Sequence, residues 1–426
     1  MTVQNTGMSP ATADPSQSRT VLMLLVVMNG VGPVSLYLLV PVLPLLAKLF
    51  DAPVSAVQLS VVLFMIGLAI SQLITGPLSD RFGRRPVLLG GLGLGVAATI
   101  ACIFAQTLPQ LVVARFFQAL GGATGMVMCR AIIRDIYPRQ QIGGMIALVT
   151  AVMMIAQMIS PLIGGALDIY FGWHSIFYFM AAATLLVTSG VALGLPETRR
   201  RPVFSDDAGF FRDVRALSSS RAFISYALCQ MLASAIIFIF AGGGPYIVVD
   251  QMARSTAEYG LWYVTAGFSY MVGNLVSVRL SPRHGIDRMI WLGLAVQITG
   301  AIANTILGVT GINQSPSWLF GTHMIITFGN AFVMSNASAG AISVRPQAAG
   351  TAAGIMGFLQ FGCGSLFSEL GAFLGGNFTT PLPVNIAILF TSMTCAAVIV
   401  FILPRNTGAV SEETMIEAEE SEAGIM

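Results

Sequence analysis

Residues 55–75 and 87–105 contain no charged side chain, and only the short polar segment Gly76–Pro86 separates them. Each stretch matches the roughly 20 apolar residues needed to cross a bilayer. Two spans joined so closely must form an antiparallel hairpin. Its turn holds Gly76, Asp80, Arg81, Gly83, Arg84 and Arg85, and an arginine-rich turn belongs on the cytoplasmic side. Of the 426 residues, 55% are hydrophobic and only 9% charged, far from the roughly 25% charged residues of a soluble domain. The chain is therefore an all-α polytopic membrane protein.

The same alternation recurs along the sequence. Spans are predicted over 20–44, 55–77, 87–105, 109–132, 142–166 and 174–195, then over 221–245, 257–280, 287–309, 317–342, 349–372 and 382–403. The segment 196–220, with Arg199, Arg200, Arg201, Asp206 and Asp207, is the longest polar interruption. It divides twelve spans into two six-helix halves, 20–195 and 221–403, flanked by an N-terminal tail (1–19) and an acidic tail (404–426). Nearly all the arginines fall on one side of this topology, leaving Lys48 and Arg254 on the other. That asymmetry places both termini in the cytoplasm. Residues 1–18 carry no positive charge, unlike the n-region of a cleaved signal. The cysteines all sit inside apolar segments and read as small packing residues. Most of the glycines clustered within spans read as devices for close helix approach.

The pattern Gly76-x-Leu78-Ser79-Asp80-Arg81-x-Gly83-Arg84-Arg85 resembles the loop between helices 2 and 3 of the major facilitator superfamily. A decayed echo follows the eighth span, where Gly273, Arg279, Arg283, Gly285 and Arg288 persist and Pro282 stands near the place of Asp80. The resemblance implies twelve helices in two halves with a substrate site at their interface near the midplane. It also implies that Asp80 caps the N-terminus of a helix in the other half, and the start of the eleventh span near Gly350 and Thr351 is the expected partner. The arginines, with Arg134 and Asp135, would then latch the outward-facing state.

Arg115 lies within the fourth span. A charge at the bilayer centre costs about 2.5–3.5 kcal/mol on insertion scales, so it should face a partner or a cavity. Gln118 and Gly122 follow on the same helical face. The stretch Arg115-Phe-Phe-Gln118-Ala-Leu-Gly121 is similar to an R-x-x-Q-x-x-G motif of facilitator antiporters, in which the arginine influences proton movement or binds substrate. Snorkelling to the headgroups is the bland alternative. Together with Arg130, Arg134 and Asp135 and the small-residue start of the eleventh span (Gly350, Gly354, Gly357), the motifs resemble the bicyclomycin/chloramphenicol-type (Bcr/CflA) multidrug exporters. Ser160-Pro161-x-x-Gly164-Gly165 is similar to the family's export element. Pro161 removes a backbone hydrogen bond and the glycines thin the helix, so a bend is expected there.

One departure bears on energy coupling. Exporters of this branch carry an acid in the first span where this chain has Tyr37, and Asn29 nearby is also neutral. If protons are exchanged, another group must carry them. Glu369 is the one carboxylate expected within a span and away from the cytoplasmic loops, with His323 a weaker candidate. Asn29, Gln72, Gln157, Gln230, Asn274, Gln297, Asn330, Asn336 and Gln360 are uncharged polar groups in spans, some lining a cavity and others bonding helices together.

An ATP-driven pump is excluded by the lack of a G-x-x-x-x-G-K-[ST] loop in a chain with a single lysine. An embedded enzyme would need clustered acids or histidines at the bilayer surface, and the chain shows none; no cofactor, metal or nucleic acid is expected. The expected function is export of small amphipathic or apolar compounds across a bacterial inner membrane, in exchange for protons, by a monomer. A carrier of one native metabolite, or a non-transporting sensor on the same fold, are the alternatives.

Overall fold

The computed structural model describes residues 15–198, 207–312 and 315–403. The acidic tail, the first residues of the N-terminal tail and Arg199–Arg201 with Asp206 lie outside the described residues. What is described is helix and connecting turn, with no strand. A chain in lipid must satisfy its backbone internally, and helices do so segment by segment.

The first span is α1 (Pro15–Leu39), a 3₁₀ turn (Val40–Val42) and α2 (Leu43–Leu49). Pro41 supplies no N–H donor, so the helix breaks there, and Pro44 sits at the start of α2, where that loss is harmless. Helices α3 (Val54–Phe82), α4 (Arg84–Ile103), α5 (Leu108–Ile136), α6 (Arg139–Phe171) and α7 (His174–Gly194) complete the first half. Gly83 separates α3 from α4 at φ +98°, a conformation strained for any residue with a Cβ.

Helix α8 (Asp207–Ser218) follows, a short amphipathic helix within the segment expected to be a linker. It docks through buried Leu217 beside Phe223 and Tyr226. The second half comprises α9 (Arg221–Pro245) with a π-helical extension (Tyr246–Gln251), α10 (Thr256–His284), α11 (Ile286–Val309), α12 (Pro316–Ser343), α13 (Ala349–Asn377) and α14 (Leu382–Ile402). Ser220 caps α9 by accepting from the Phe223 N–H at 3.4 Å. Ten of these segments are long and apolar enough to cross a membrane by composition; α10 and α13 are long but more polar.

The halves repeat one packing scheme. In the first, α5 packs on α1, α3 and α4, while α1 also packs on α6 and α7. In the second, α12 packs on α9, α10 and α11, while α9 also packs on α13 and α14. Contact between halves follows the same symmetry, through α3 with α13 and α6 with α10.

Close backbone approach explains several glycines. A Cβ on Gly165 would fall 2.5 Å from the Thr256 carbonyl oxygen, and one on Gly260 would fall 2.5 Å from the Pro161 oxygen. Gly164 likewise abuts the Leu38 carbonyl. Helix α6 is continuous through Pro161, and the two glycines of this element pack against α1 and α10.

Candidate substrate cavity

A cavity of about 1810 Å³ lies between the halves. Its mouth is at the arginine-rich end, where Gly76, Asp80, Arg81, Arg84, Arg134 and Gly350 line it. Deeper in, α6 contributes Val149, Thr150, Met153, Met154, Gln157 and Met158, a run at helical spacing. Beside them, on the packed neighbour from the other half, α10 presents Tyr263, Ala266, Gly267, Tyr270, Met271 and Asn274. Asn29, Tyr37, Gln230, Phe238, Phe240, His323 and Phe361 bound the inner end. His323 stacks on Phe240 with ring centroids 3.6 Å apart, and its Nδ1 has no hydrogen-bond partner.

The opposite end is closed by contacts between the halves. Lys48 Nζ pairs with Asp250 at 2.7 Å. Gln58 Nε2 donates to Ser368 Oγ at 2.8 Å, and the Thr256 hydroxyl donates to Asp168 at 3.1 Å. Just inside, the Tyr37 and Tyr263 rings meet at 6.0 Å between centroids. A site between two helical halves, open at one end and sealed at the other, is one arrangement of an alternating-access transporter.

Residues 25–368 match the model of the Major Facilitator Superfamily. The chain belongs to that superfamily. It is 28% identical over 380 residues to the uncharacterized MFS-type transporter YdgK of Bacillus subtilis, covering 88% of this chain and 93% of that one. It is 25% identical to a bicyclomycin resistance protein homolog of Haemophilus influenzae (85% and 90% covered). Against the chloramphenicol resistance protein of Pseudomonas aeruginosa it is 26% identical (73% and 74%). These relatives bear out the resemblance to multidrug exporters. Among solved structures, the partially occluded inward-open xylose transporter XylE from E. coli superposes with a TM-score of 0.72, covering 91% of this chain and 98% of that one. At 13% identity that likeness shows the fold alone. A facilitator is a transporter and not an enzyme.

The facilitator loop is built differently from the expectation. Arg84 is its hub: Nη1 donates to Asp80 and to Ser79 Oγ, each at 2.6 Å, and Nε donates to Asp135 at 3.0 Å. These contacts join α3, α4 and α5 within one half. Arg85 Nη2 donates to the Ala192 carbonyl at 2.6 Å. The carboxylate that caps a helix is Glu197, accepting from the Arg84 and Arg85 N–H groups at 3.0 and 3.1 Å. Asp80 caps nothing in the other half here; it is drawn to Arg84 instead. Near Gly350 lies Arg134, 3.3 Å from where a Cβ would be.

Arg115 is fully buried but does not line the cavity. Its guanidinium lies 3.9 Å over the Phe64 ring, and Nη1 donates to Gln118 Oε1 at 2.6 Å and to the Ser35 carbonyl at 3.1 Å. Gln118 in turn donates to Thr99 at 2.8 Å. Both expected site residues are thus tied into the first half, because α1, α3 and α4 supply the partners a buried cation needs. Snorkelling is equally ruled out by that burial.

Of the other expected site residues, Asn29, Tyr37, Gln157 and Gln230 line the cavity. Asn330 does not: it donates to the Ala233 carbonyl at 2.8 Å and to Gln297 at 3.1 Å, bonding helices α9, α11 and α12. Glu369 is half-buried, away from the cavity, with Oε2 unpartnered. Sequence reasoning missed Tyr263 and Tyr270. Their signal was the i, i+3, i+4, i+7 stripe from Tyr263 to Asn274 along a span too polar to be merely lipid-facing.

Proposed function

We propose that the protein exports small amphipathic compounds, drugs among them, across the bacterial inner membrane by alternating access, as a monomer and in exchange for protons. The observation that carries this reading is the cavity itself, large, rimmed with aromatic rings, methionines and amides, and open at one end. Methionine and aromatic surfaces suit varied apolar solutes. The arginines at the mouth orient it, and with it both termini, toward the cytoplasm, so the cavity faces the compartment from which an exporter loads. Relatives named for bicyclomycin, chloramphenicol and multidrug resistance support the same substrates. On this reading the 20–195 and 221–403 halves rock about the site.

For proton exchange this reading assigns Glu369 on α13, whose buried unpartnered oxygen leaves room for a proton. The test is drug accumulation in cells with and without the protein, repeated with the proton gradient collapsed, and proton release from purified protein on adding drug. Export that stops with the gradient and proton release lost in Glu369→Gln are expected. Unaltered release in that variant removes Glu369 as the carrier, and equal drug accumulation with and without the protein removes drug export.

One observation favours a second reading. Among the described residues that line the cavity the sole carboxylate is Asp80, at the mouth and already paired. A carrier of a native metabolite without proton coupling needs no acid deeper in, and it would show transport indifferent to the collapsed gradient.

A further inference from the structure

Among the described residues, the charged ones lining the cavity are four arginines, Arg81, Arg84, Arg130 and Arg134, and one aspartate. Arg84 is neutralised by Asp80 and Asp135. Arg81 and Arg134 sit at the mouth, where a positive-inside signal accounts for them. Arg130 is different. It lies one helical turn farther into the span than Arg134, about 6 Å along the axis at 1.5 Å per residue. No carboxylate lies within ion-pair distance of it among the described residues. Its one recorded partner is neutral: Nη2 donates to Gln72 Oε1 at 2.8 Å.

That pair stands at the seam between the halves. Gln72 faces α13, where a Cβ on Gly357 would come 3.2 Å from its amide oxygen. An uncompensated guanidinium in a half-enclosed, largely apolar cavity is an anion site waiting for its charge, since its attraction is screened far less than at a free surface. Past it the wall turns to Met126, Phe361, Phe238 and the tyrosines of α10, apolar surface for the rest of a molecule.

We propose that the cavity takes amphipathic organic anions, with the carboxylate or comparable negative group on Arg130 and the apolar body toward Phe238 and Tyr270. This rests on the reading of the chain as an exporter and adds the charge of what it carries. The aromatic faces would attract a cation, but they stand behind arginines and have no carboxylate beside them. An anion also leaves the cytoplasm with the membrane potential rather than against it, which fits a cavity with no acid in its depth.

The test uses the full-length protein in lipid nanodiscs and three probes of one shape: 4-butylbenzoate, its neutral amide and 4-butylbenzylammonium. Calorimetric binding is paired with counterflow in proteoliposomes. The benzoate is expected to bind at least tenfold tighter than the ammonium. Arg130→Gln should bring the benzoate-to-amide affinity ratio to near one, and Arg130→Lys, which keeps the charge, should restore most of it. Because the ratio is measured on one preparation, a poorly folded fraction cancels. An ammonium bound as tightly as the benzoate, or a ratio unmoved in Arg130→Gln, overturns the charge assignment while leaving export intact. Failure of all three probes to bind or move overturns the charge assignment and strikes at the export reading as well.

Discussion

Arg115 and Arg130 sit on one helix in opposite circumstances. Arg115 is wrapped by its own half, with an aromatic ring beneath it and a carbonyl and an amide before it. Arg130 looks into the space between halves and has one neutral partner. The cost of an intramembrane charge is the same argument for both, yet it yields scaffold in one case and site in the other. What separates them is whether the guanidinium is enclosed by its own half or faces the space between the halves. Groups satisfied within a half should govern stability, and groups facing across the halves should govern transport.

The largest effect expected from this division is at Arg115. Arg115→Ala removes a desolvated cation–π contact and leaves Gln118 short of a donor, together about 2–4 kcal/mol. Thermal unfolding should show the loss, whereas transport per folded molecule stays near the parent value. Arg115→Met should cost less, since an apolar isostere fills the volume and removes the unpartnered Nε and Nη2. Transport abolished in a folded Arg115→Met protein would break the division and restore Arg115 to the site.

Gly165 tests the other side of it. Its neighbour at closest approach is Thr256 of the opposite half. Gly165→Val therefore opposes closure of the sealed end by about 1–3 kcal/mol of overpacking, weighted against one conformation rather than against folding. Export should fall roughly five- to a hundredfold, with little change in unfolding temperature. A matched fall in stability with normal turnover would place this contact inside the scaffold.

Within one half again, Glu197→Gln removes the charge that caps α4. Carboxylates at helix N-termini contribute about 0.3–1 kcal/mol, and that is the destabilisation expected, smaller at high salt. A loss of transport without one would mean that Glu197 acts on the cycle.

The spans and their division into six and six were legible because hydropathy reports the solvent directly: the membrane demands long apolar runs, and the predicted bounds lie within several residues of α3 to α7 and α9 to α14. Helix α8 was not, because its polar face drowned its few apolar positions in the average. The site was half legible. Asn29, Tyr37, Gln157 and Gln230 could be picked as polar groups in spans, but nothing local distinguishes them from Asn330, whose partners come from α9 and α11. Arg115 misled for the same reason: burial cost identifies a residue that needs partners and is silent on which helix brings them.

The smallest expected effect is at the sealed end. Lys48 and Asp250 form an ion pair across the halves, with the lysine side chain 69% exposed. Exposed pairs contribute about 0.2–1 kcal/mol and are screened by salt. Lys48→Ala should therefore bias the chain against the conformation described here by no more than about fivefold. If opening toward that side limits turnover, the variant transports slightly faster, and if reclosure limits it, slightly slower. In either case the difference from the parent should vanish at about 1 M salt, where the Debye length is near 3 Å. An effect that persists there would show that Lys48 acts through something other than its charge, and the pair would lose its place among the contacts that set the cycle.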